Sequence, residues 1–230
     1  MPTLPVRAAV WAVIVTIGAL VGSRLVLEQL GGMRWPIVVY ALLSVVLAYG
    51  PMVAYCVWAS RWWGTGRLGD DLGFTVRWAD LGWGPVTWLA ALAGEIAVAV
   101  AVTASNIPIR SNTEGIDDLS GERGVIIALL VSAVVAAPFV EELIFRGVIL
   151  RGVASVVPAW GAVGLQGVLF GAAHVDPSSG AGNVGLVAVL SAVGIALGGS
   201  AYLLRRIGPT IIAHMIFNGV VLMIVLFVDI

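Results

Sequence analysis

Long apolar runs, each about the length of a membrane-crossing helix, take up most of this 230-residue sequence. Only 11% of the residues are charged, where an ordinary soluble domain has about 25%. A segment inside a bilayer must satisfy its own backbone hydrogen bonds, so it forms a helix or part of a closed barrel, and a spanning helix needs about 20 apolar residues. Runs of this length favour helices. The sequence therefore predicts an all-α fold, a polytopic transmembrane helical bundle of about seven to eight spans.

The predicted spans follow one another with short connections. They cover residues 8–26, 37–60, 85–104, from 124 to beyond 146, 158–175, 184–204 and 208–228. An eighth span arises if the Trp-rich stretch 61–83 or the segment 147–157 also inserts. Because nearly all residues belong to these runs, we expect one membrane-embedded domain over residues 1–230, with the chemistry-bearing core at about 124–228.

The distribution of arginine predicts the topology. A cytoplasmic N-terminus places eight arginines on the inner side and four on the outer side, as the positive-inside rule favours. The inner set is Arg7, Arg61, Arg67, Arg77, Arg146, Arg151, Arg205 and Arg206; the outer set is Arg24, Arg34, Arg110 and Arg123. The lack of lysine is typical of a GC-rich coding bias and points to a bacterial plasma membrane. No extended basic segment is present, so we expect no nucleic-acid partner.

Three charged residues interrupt the fourth apolar run. Glu141, Glu142 and Arg146 lie within six positions, although a charge at membrane depth costs roughly 2.5 to 3.5 kcal/mol on insertion scales. Residues four apart share one helix face, so Arg146 lies over Glu142, while Glu141 points about 100° away. Glu142 is then neutralised by Arg146, and Glu141 is left to face a cavity.

The two histidines of the chain also occur at helical spacings. Phe170 precedes His174 by four residues, and Asn218 follows His214 by four. A carboxylate and an imidazole that face one water can remove its proton for attack on an amide carbonyl. His214 and Asn218 carry donors suited to the oxyanion that such an attack forms.

The motifs Glu141-Glu142-Leu-Ile-Phe-Arg146, Phe170-Gly-Ala-Ala-His174 and His214-Met-Ile-Phe-Asn218 together resemble a known family. They are similar to the EExxxR, FxxxH and HxxxN signatures of the CPBP (Abi) intramembrane proteases, which include the type II CAAX prenyl endopeptidases. The resemblance covers about residues 138–220. It implies that Glu141 and His174 activate water, that His214 and Asn218 form the oxyanion site, and that Glu142 and Arg146 support them.

The need for a metal stays open at this point. The family has been described both as metalloproteases and as metal-free glutamate proteases. Glu141, His174 and His214 are the ligands if zinc is present, yet the sequence has no HExxH motif, and Cys56 is its only cysteine. The cofactor is therefore either zinc or none.

Two functional hypotheses follow. The first is an intramembrane endopeptidase that hydrolyses a peptide bond of a membrane-associated or lipidated protein. The second is a non-catalytic membrane factor, or a proton- or ion-coupled transporter, that uses the same buried charges.

The positions of the motifs along their spans add further expectations. Glu141 and His174 reach the same depth only if the fourth helix continues to about residue 157, with the site in the inner half of the bilayer. Gln166, eight residues before His174, is a candidate for the cavity wall, although a position away from the cavity is favoured. For Glu95, a lone carboxylate in the third span, a structural role is favoured.

Overall fold

The structure is a computed structural model that describes residues 4–110 and 123–227, and every regular element in those ranges is helical. The helices are α1 (Val6–Leu30), α2 (Ile37–Trp63), α3 (Leu68–Asp71), α4 (Asp80–Ala104), α5 (residues 123–153), α6 (Ala159–Ala172), α7 (Gly182–Leu204) and α8 (Gly208–Phe227). A single 3₁₀ turn, Pro177–Ser179, precedes α7. The predicted all-α bundle is thus confirmed.

Six of the described helices are long and apolar enough to cross a membrane. They are α1, α2, α4, the part Ile126–Val153 of α5, α7, and the part Gly208–Leu226 of α8. The chain is therefore an integral membrane protein, while its cytoplasmic N-terminus and bacterial origin stay predictions. The fifth predicted span, 158–175, is a helix of only 14 residues, α6. At 1.5 Å per residue, α6 is about 21 Å long, shorter than the hydrocarbon core of about 30 Å.

Neither candidate for an eighth span forms one. The stretch 61–83 holds the end of α2, the four-residue α3 and the start of α4. The segment 147–157 instead continues α5 as far as Val153 and then turns. The predicted continuation of this helix beyond Arg146 is therefore confirmed as far as Val153, while its inward direction stays a prediction. Helical dihedral angles are unfavourable for the residue before a proline, which accounts for the end of α5 ahead of Pro158.

Helix α5 is not a uniform α-helix. Residues Leu130–Ala136 and Glu142–Ile149 are π-helical, and between them lies the short α-helical segment Ala137–Glu141. The amide of Leu150 accordingly donates to the carbonyl of Phe145, five residues earlier. Single π-helical turns within α-helices are frequent at functional sites. Here one of them begins at Glu142, directly after Glu141.

The second half of α5 is the centre of the bundle. All residues of Glu142–Ile149 are buried, and α1, α2, α6 and α7 pack around them. Helix α4 packs against α7 and α8 on the other side. Small residues permit the closest approach, since a Cβ on Gly194 of α7 would lie 2.9 Å from the carbonyl oxygen of Gly167 in α6. The glycine-rich run at 194–201 therefore serves helix packing.

A second polar cluster holds the loop between α2 and α4. Asp71 accepts hydrogen bonds from the Ser60 hydroxyl (2.5 Å) and from the amides of Thr65 and Gly66 (2.8 to 3.0 Å). Asp80 binds the guanidinium of Arg206 at 2.6 and 2.8 Å and the amide of Arg77 at 2.8 Å. We call the two aspartates and these partners the loop-anchor cluster; its members are Ser60, Thr65, Gly66, Asp71, Arg77, Asp80 and Arg206.

The charge of Asp71 is stabilised by its position. Burial opposes ionisation, but the hydrogen bonds from the Ser60 hydroxyl and from Thr65 and Gly66 outweigh it and hold the pKa of Asp71 below its ordinary value. The anionic form of Asp71 is therefore part of the folded structure.

Candidate active site

Glu142 and Arg146 form the predicted ion pair in the centre of α5. Arg146 Nη1 lies 2.8 Å from Glu142 Oε1, and both side chains are completely buried. A second nitrogen, Arg146 Nη2, donates to the carbonyl of Gly194 at 3.3 Å. Removing one partner from such a buried pair leaves an uncompensated charge, which is far costlier than losing a surface pair.

Glu142 also binds a histidine, which helical spacing did not predict. His214 Nδ1 lies 3.0 Å from Glu142 Oε1, the same oxygen that faces Arg146. His214 is on α8, 72 residues away. This contact fixes the imidazole so that its other nitrogen, Nε2, faces Glu141 Oε2 at 3.8 Å.

His174 approaches Glu141 from another direction. It lies just beyond the end of α6, where its Nδ1 is 2.8 Å from the carbonyl oxygen of Phe170. Its Nε2 lies 3.9 Å from Glu141 Oε2. Two imidazole nitrogens from different helices thus converge on one carboxylate oxygen of α5.

The ring of Phe170 holds these groups apart and in place. It lies 4.8 Å from the ring of His174 and 5.6 Å from that of His214, measured between centroids. The guanidinium carbon of Arg146 lies 4.4 Å from the same ring, a cation–π distance. Phe170 therefore contacts both histidines and the arginine that supports them.

Glu141 is mostly buried but loosely bound. Its Oε1 lies 3.4 Å from the hydroxyl of Tyr49 on α2, and its Oε2 is buried without a direct hydrogen bond to any described residue. The gaps of 3.8 and 3.9 Å to the two histidines exceed a direct hydrogen bond. They match a carboxylate and two imidazoles that hydrogen-bond through an intervening group.

Asn218 is one turn beyond His214 on α8. Its amide nitrogen donates to the carbonyl of Ala133 at 2.8 Å, within the first π-helical segment of α5. An amide group has two N–H donors, so one is left for the cavity. Glu141, His174, His214 and Asn218 all line a single cavity of about 420 Å³, together with Phe170. The structure thus brings the four predicted catalytic residues together, with Glu142 and Arg146 behind them.

Gln166, a candidate for the cavity wall, is not among the residues that line the cavity. It is fully buried and donates to the carbonyl of Gly194 at 2.7 Å, the same oxygen that Arg146 approaches. Eight helical residues turn through 800°, which leaves Gln166 about 80° away from the direction of His174. Gln166 therefore supports the contact between α6 and α7.

Two residues at the cavity belong to helices outside the three motifs. Tyr49 contacts Glu141 from α2, and Glu95 lines the cavity wall from α4. In the sequence, the available signals for these two residues were a hydroxyl and a carboxylate within apolar runs. Neither signal could assign a partner, because the helices that meet around α5 are set by tertiary packing.

The donor geometry also tests the zinc alternative. Tetrahedral zinc with bonds of about 2.0 to 2.1 Å brings its ligand atoms to about 3.3 Å from one another. Glu141 Oε2 lies 3.8 and 3.9 Å from the two Nε2 atoms, and among residues 4–110 and 123–227 no group of three His, Cys, Asp or Glu is disposed to hold a metal ion. This arrangement does not fit zinc, so the chemistry considered below uses the side chains alone.

Comparison with known proteins yields one match. Residues 123–220 match the family described as type II CAAX prenyl endopeptidase Rce1-like. The match contains α5, α6, α7 and most of α8, and so all three motifs. No curated protein and no solved structure matches the chain.

Proposed function

We propose that this chain, of which residues 123–220 match the Rce1-like family, is a CAAX-type intramembrane protease that hydrolyses a peptide bond of a membrane-associated or lipidated protein. The observation that carries the proposal is the convergence of His174 Nε2 and His214 Nε2 on Glu141 Oε2, at 3.9 and 3.8 Å. A carboxylate and two imidazoles that face one another are the groups that general-base activation of a water requires.

The hydrogen bond of His174 suggests its role. The carbonyl of Phe170 can only accept, so the Nδ1 that faces it carries the proton. In the neutral imidazole, Nε2 is then an acceptor. His174 is thus suited to bind and orient the water beside Glu141.

The second histidine has the opposite partner. Glu142 Oε1 is a carboxylate oxygen, so His214 Nδ1 donates to it. His214 can donate from Nε2 as well when both of its ring nitrogens carry a proton. In that form, His214 Nε2–H and the second N–H of Asn218 can both donate to an oxyanion.

The reaction that these roles support has two stages. Glu141 takes a proton from the water while the oxygen attacks the carbonyl carbon of the substrate, and the negative charge that develops on the carbonyl oxygen is held by His214 and Asn218. The C–N bond then breaks, and Glu141 returns the proton to the leaving amine. The products are a carboxylic acid and an amine, and Glu141 is again ionised.

A membrane proteome experiment tests the proposal. We expect cells that express wild-type protein to accumulate cleaved fragments of specific membrane proteins, and cells that express Glu141→Ala to accumulate the intact forms. Glu28→Ala is the matched control, because Glu28 is an exposed carboxylate at the far end of α1. Identical fragment profiles for wild-type and Glu141→Ala cells would contradict the proposal.

Purified protein separates the metal-free reaction from a zinc-assisted one. Lipidated and unlipidated forms of an identified substrate peptide are cleaved with and without a chelator, and bound zinc is measured in the same preparation. We expect cleavage to persist in the chelator. Loss of cleavage that zinc restores would require a metal in the mechanism.

A further inference from the structure

Glu95 is a carboxylate that the proposed hydrolysis does not use. It lies within the membrane-spanning helix α4 and lines the same 420 Å³ cavity as Glu141, His174 and His214. Within residues 4–110 and 123–227, it makes no hydrogen bond and no ion pair. Glu141, the other acidic residue described along this cavity wall, has the hydroxyl of Tyr49 as a partner.

The orientation of Glu95 towards the cavity is set by its helix. Ala99, four residues later on the same face of α4, also lines the cavity. Helix α4 packs on α7 and α8, and a Cβ on Gly94, the residue before Glu95, would lie 3.8 Å from the Cβ of Ala192. Glu95 is therefore held on the cavity wall by helix packing, and is half-buried there.

A carboxylate in this position lacks a reason within the fold. Carboxylates inside membrane spans are energetically costly. They normally pair with a positively charged group or mark the path of a ligand. The wall of the cavity that Glu95 lines consists mainly of aliphatic side chains, such as Val189 of α7 and Leu222 of α8, and Arg110 also lines it.

We propose that Glu95 forms a specificity subsite that binds a lysine or arginine side chain of the substrate. A substrate chain with its scissile bond at Glu141 occupies the same cavity that Glu95 lines. A cationic side chain there supplies the charge that the carboxylate lacks, in a setting where the surrounding aliphatic groups strengthen the attraction. A neutral side chain of equal length offers the carboxylate no partner.

This inference rests on the proposed endopeptidase function, and it concerns a part of the chain that the family match does not include. The match begins at residue 123, whereas Glu95 is on α4. The subsite is thus a property of this chain and is not implied by the three motifs.

The test uses a mixture of synthetic peptides built on a fragment identified from the membrane proteome. In each peptide, one position on either side of the cleaved bond holds lysine or norleucine, which has a similar length and no charge. Cleavage by the purified full-length protein is followed by mass spectrometry. At one position, we expect wild-type protein to prefer lysine by at least about tenfold in kcat/KM, the size expected of one charge-assisted bond.

Two variants identify Glu95 as the cause. Glu95→Gln should lower the ratio of kcat/KM for the lysine peptide to that for the norleucine peptide to about one, because the amide carries no charge to pair with lysine. Glu95→Asp keeps the charge and should retain a preference for lysine. Thermal unfolding in detergent verifies that both variants are folded.

The remaining outcomes separate the two proposals. Cleavage that depends on Glu141 but shows no preference for lysine, or a preference that Glu95→Gln leaves intact, would overturn the subsite and leave the endopeptidase in place. If no peptide is cleaved in a Glu141-dependent manner, the proposed function itself is overturned, and the subsite with it.

Discussion

The loop-anchor cluster and the cavity around Glu141 use the same residue types in different ways. Asp71 and Asp80 accept hydrogen bonds of 2.5 to 3.0 Å from several donors each. Glu141 lies 3.4 Å from its nearest donor and 3.8 to 3.9 Å from two imidazoles. Both sets are largely buried, so the difference lies in how completely their polar atoms are satisfied.

This difference separates groups that hold the fold from groups that act on another molecule. A buried polar group normally has a hydrogen-bond partner, because leaving that hydrogen bond unmade costs about 1 to 3 kcal/mol. A group that must bind a substrate or a water has unused hydrogen-bonding capacity in the free protein. The folded protein is less stable as a result. Substitutions in the loop-anchor cluster should therefore affect stability, and those around Glu141 should affect cleavage.

Arg146 combines the two kinds of group, and its replacement is the strongest test of the contrast. Arg146→Met leaves Glu142 charged and buried beside His214 alone, and we expect a loss of about 3 to 5 kcal/mol in unfolding free energy. Denaturant unfolding in detergent measures it. In the double variant Glu142→Gln/Arg146→Met, most of the stability should return while cleavage stays lost. Restored cleavage in the double variant would show that Glu142 has no part in orienting His214.

Asp71→Asn tests the structural side. An amide replaces a carboxylate that accepts several donors, and we expect a loss of about 1 to 3 kcal/mol in unfolding free energy, with normal specific cleavage by the folded fraction. A loss of cleavage at unchanged stability would break the contrast.

The pH dependence of the same residue gives a second measurement. The folded pKa of Asp71 is lower than its ordinary value, so the unfolded chain binds the proton more readily. The stability it contributes is fully present above the unfolded pKa of about 3.9 and is lost as the pH falls through the folded pKa. Wild-type unfolding free energy should drop in this acidic window, and the drop should be smaller in Asp71→Asn.

Tyr49→Phe tests the functional side. Removing the hydroxyl frees Glu141 Oε1, and we expect kcat to fall by several-fold, about 0.5 to 1.5 kcal/mol, with little change in unfolding temperature. Tyr55→Phe is the matched control on the same helix, since the hydroxyl of Tyr55 donates to the Ala8 carbonyl at 2.7 Å, joining α1 to α2. That control should lower stability and retain cleavage. Equal losses of kcat in the two variants would remove the special role of Tyr49.

The smallest effect is expected at an exposed ion pair. Arg24 Nε lies 3.0 Å from Glu28 Oε1, and both side chains are more than half exposed. Arg24→Gln should change the unfolding free energy by less than about 0.5 kcal/mol, because solvent screens the attraction. The unfolding free energy is measured at low and high salt. A larger loss would mean that exposed ion pairs also stabilise this fold.

Local spacing predicted what lies on one helix. The apolar runs gave six long helices and α6, and the i,i+4 rule placed Arg146 on Glu142. The motif resemblance then indicated that Glu141, His174, His214 and Asn218 share one cavity, which they do.

Contacts between helices were beyond the reach of spacing. Neither the bond from His214 to Glu142 nor the contact of Tyr49 with Glu141 follows from any helical period, since the partners are 72 and 92 positions apart. The shortness of α6 was missed because residues 158–175 are uniformly apolar, and hydropathy alone does not mark the turn at His174. The π-helical segments were equally hidden, since they differ from α-helix only in hydrogen-bond partner.

The π-helical segment Glu142–Ile149 has a consequence for insertions and deletions in this chain. A π-helical turn holds about one residue more than an α-helical turn, so deleting one residue there restores regular α-helical hydrogen bonding and leaves the residues beyond it at nearly the same angle around the axis. Gly152 would then keep its place against α1, where even a Cβ would come within 3.0 Å of the Ala9 amide nitrogen. A deletion in the regular α-helical segment Ala137–Glu141 would instead rotate everything beyond it by about 100°. When relatives are aligned, single-residue gaps between positions 142 and 149 should therefore mark chains that have a regular α-helix there and keep the arrangement of α1 around the central helix.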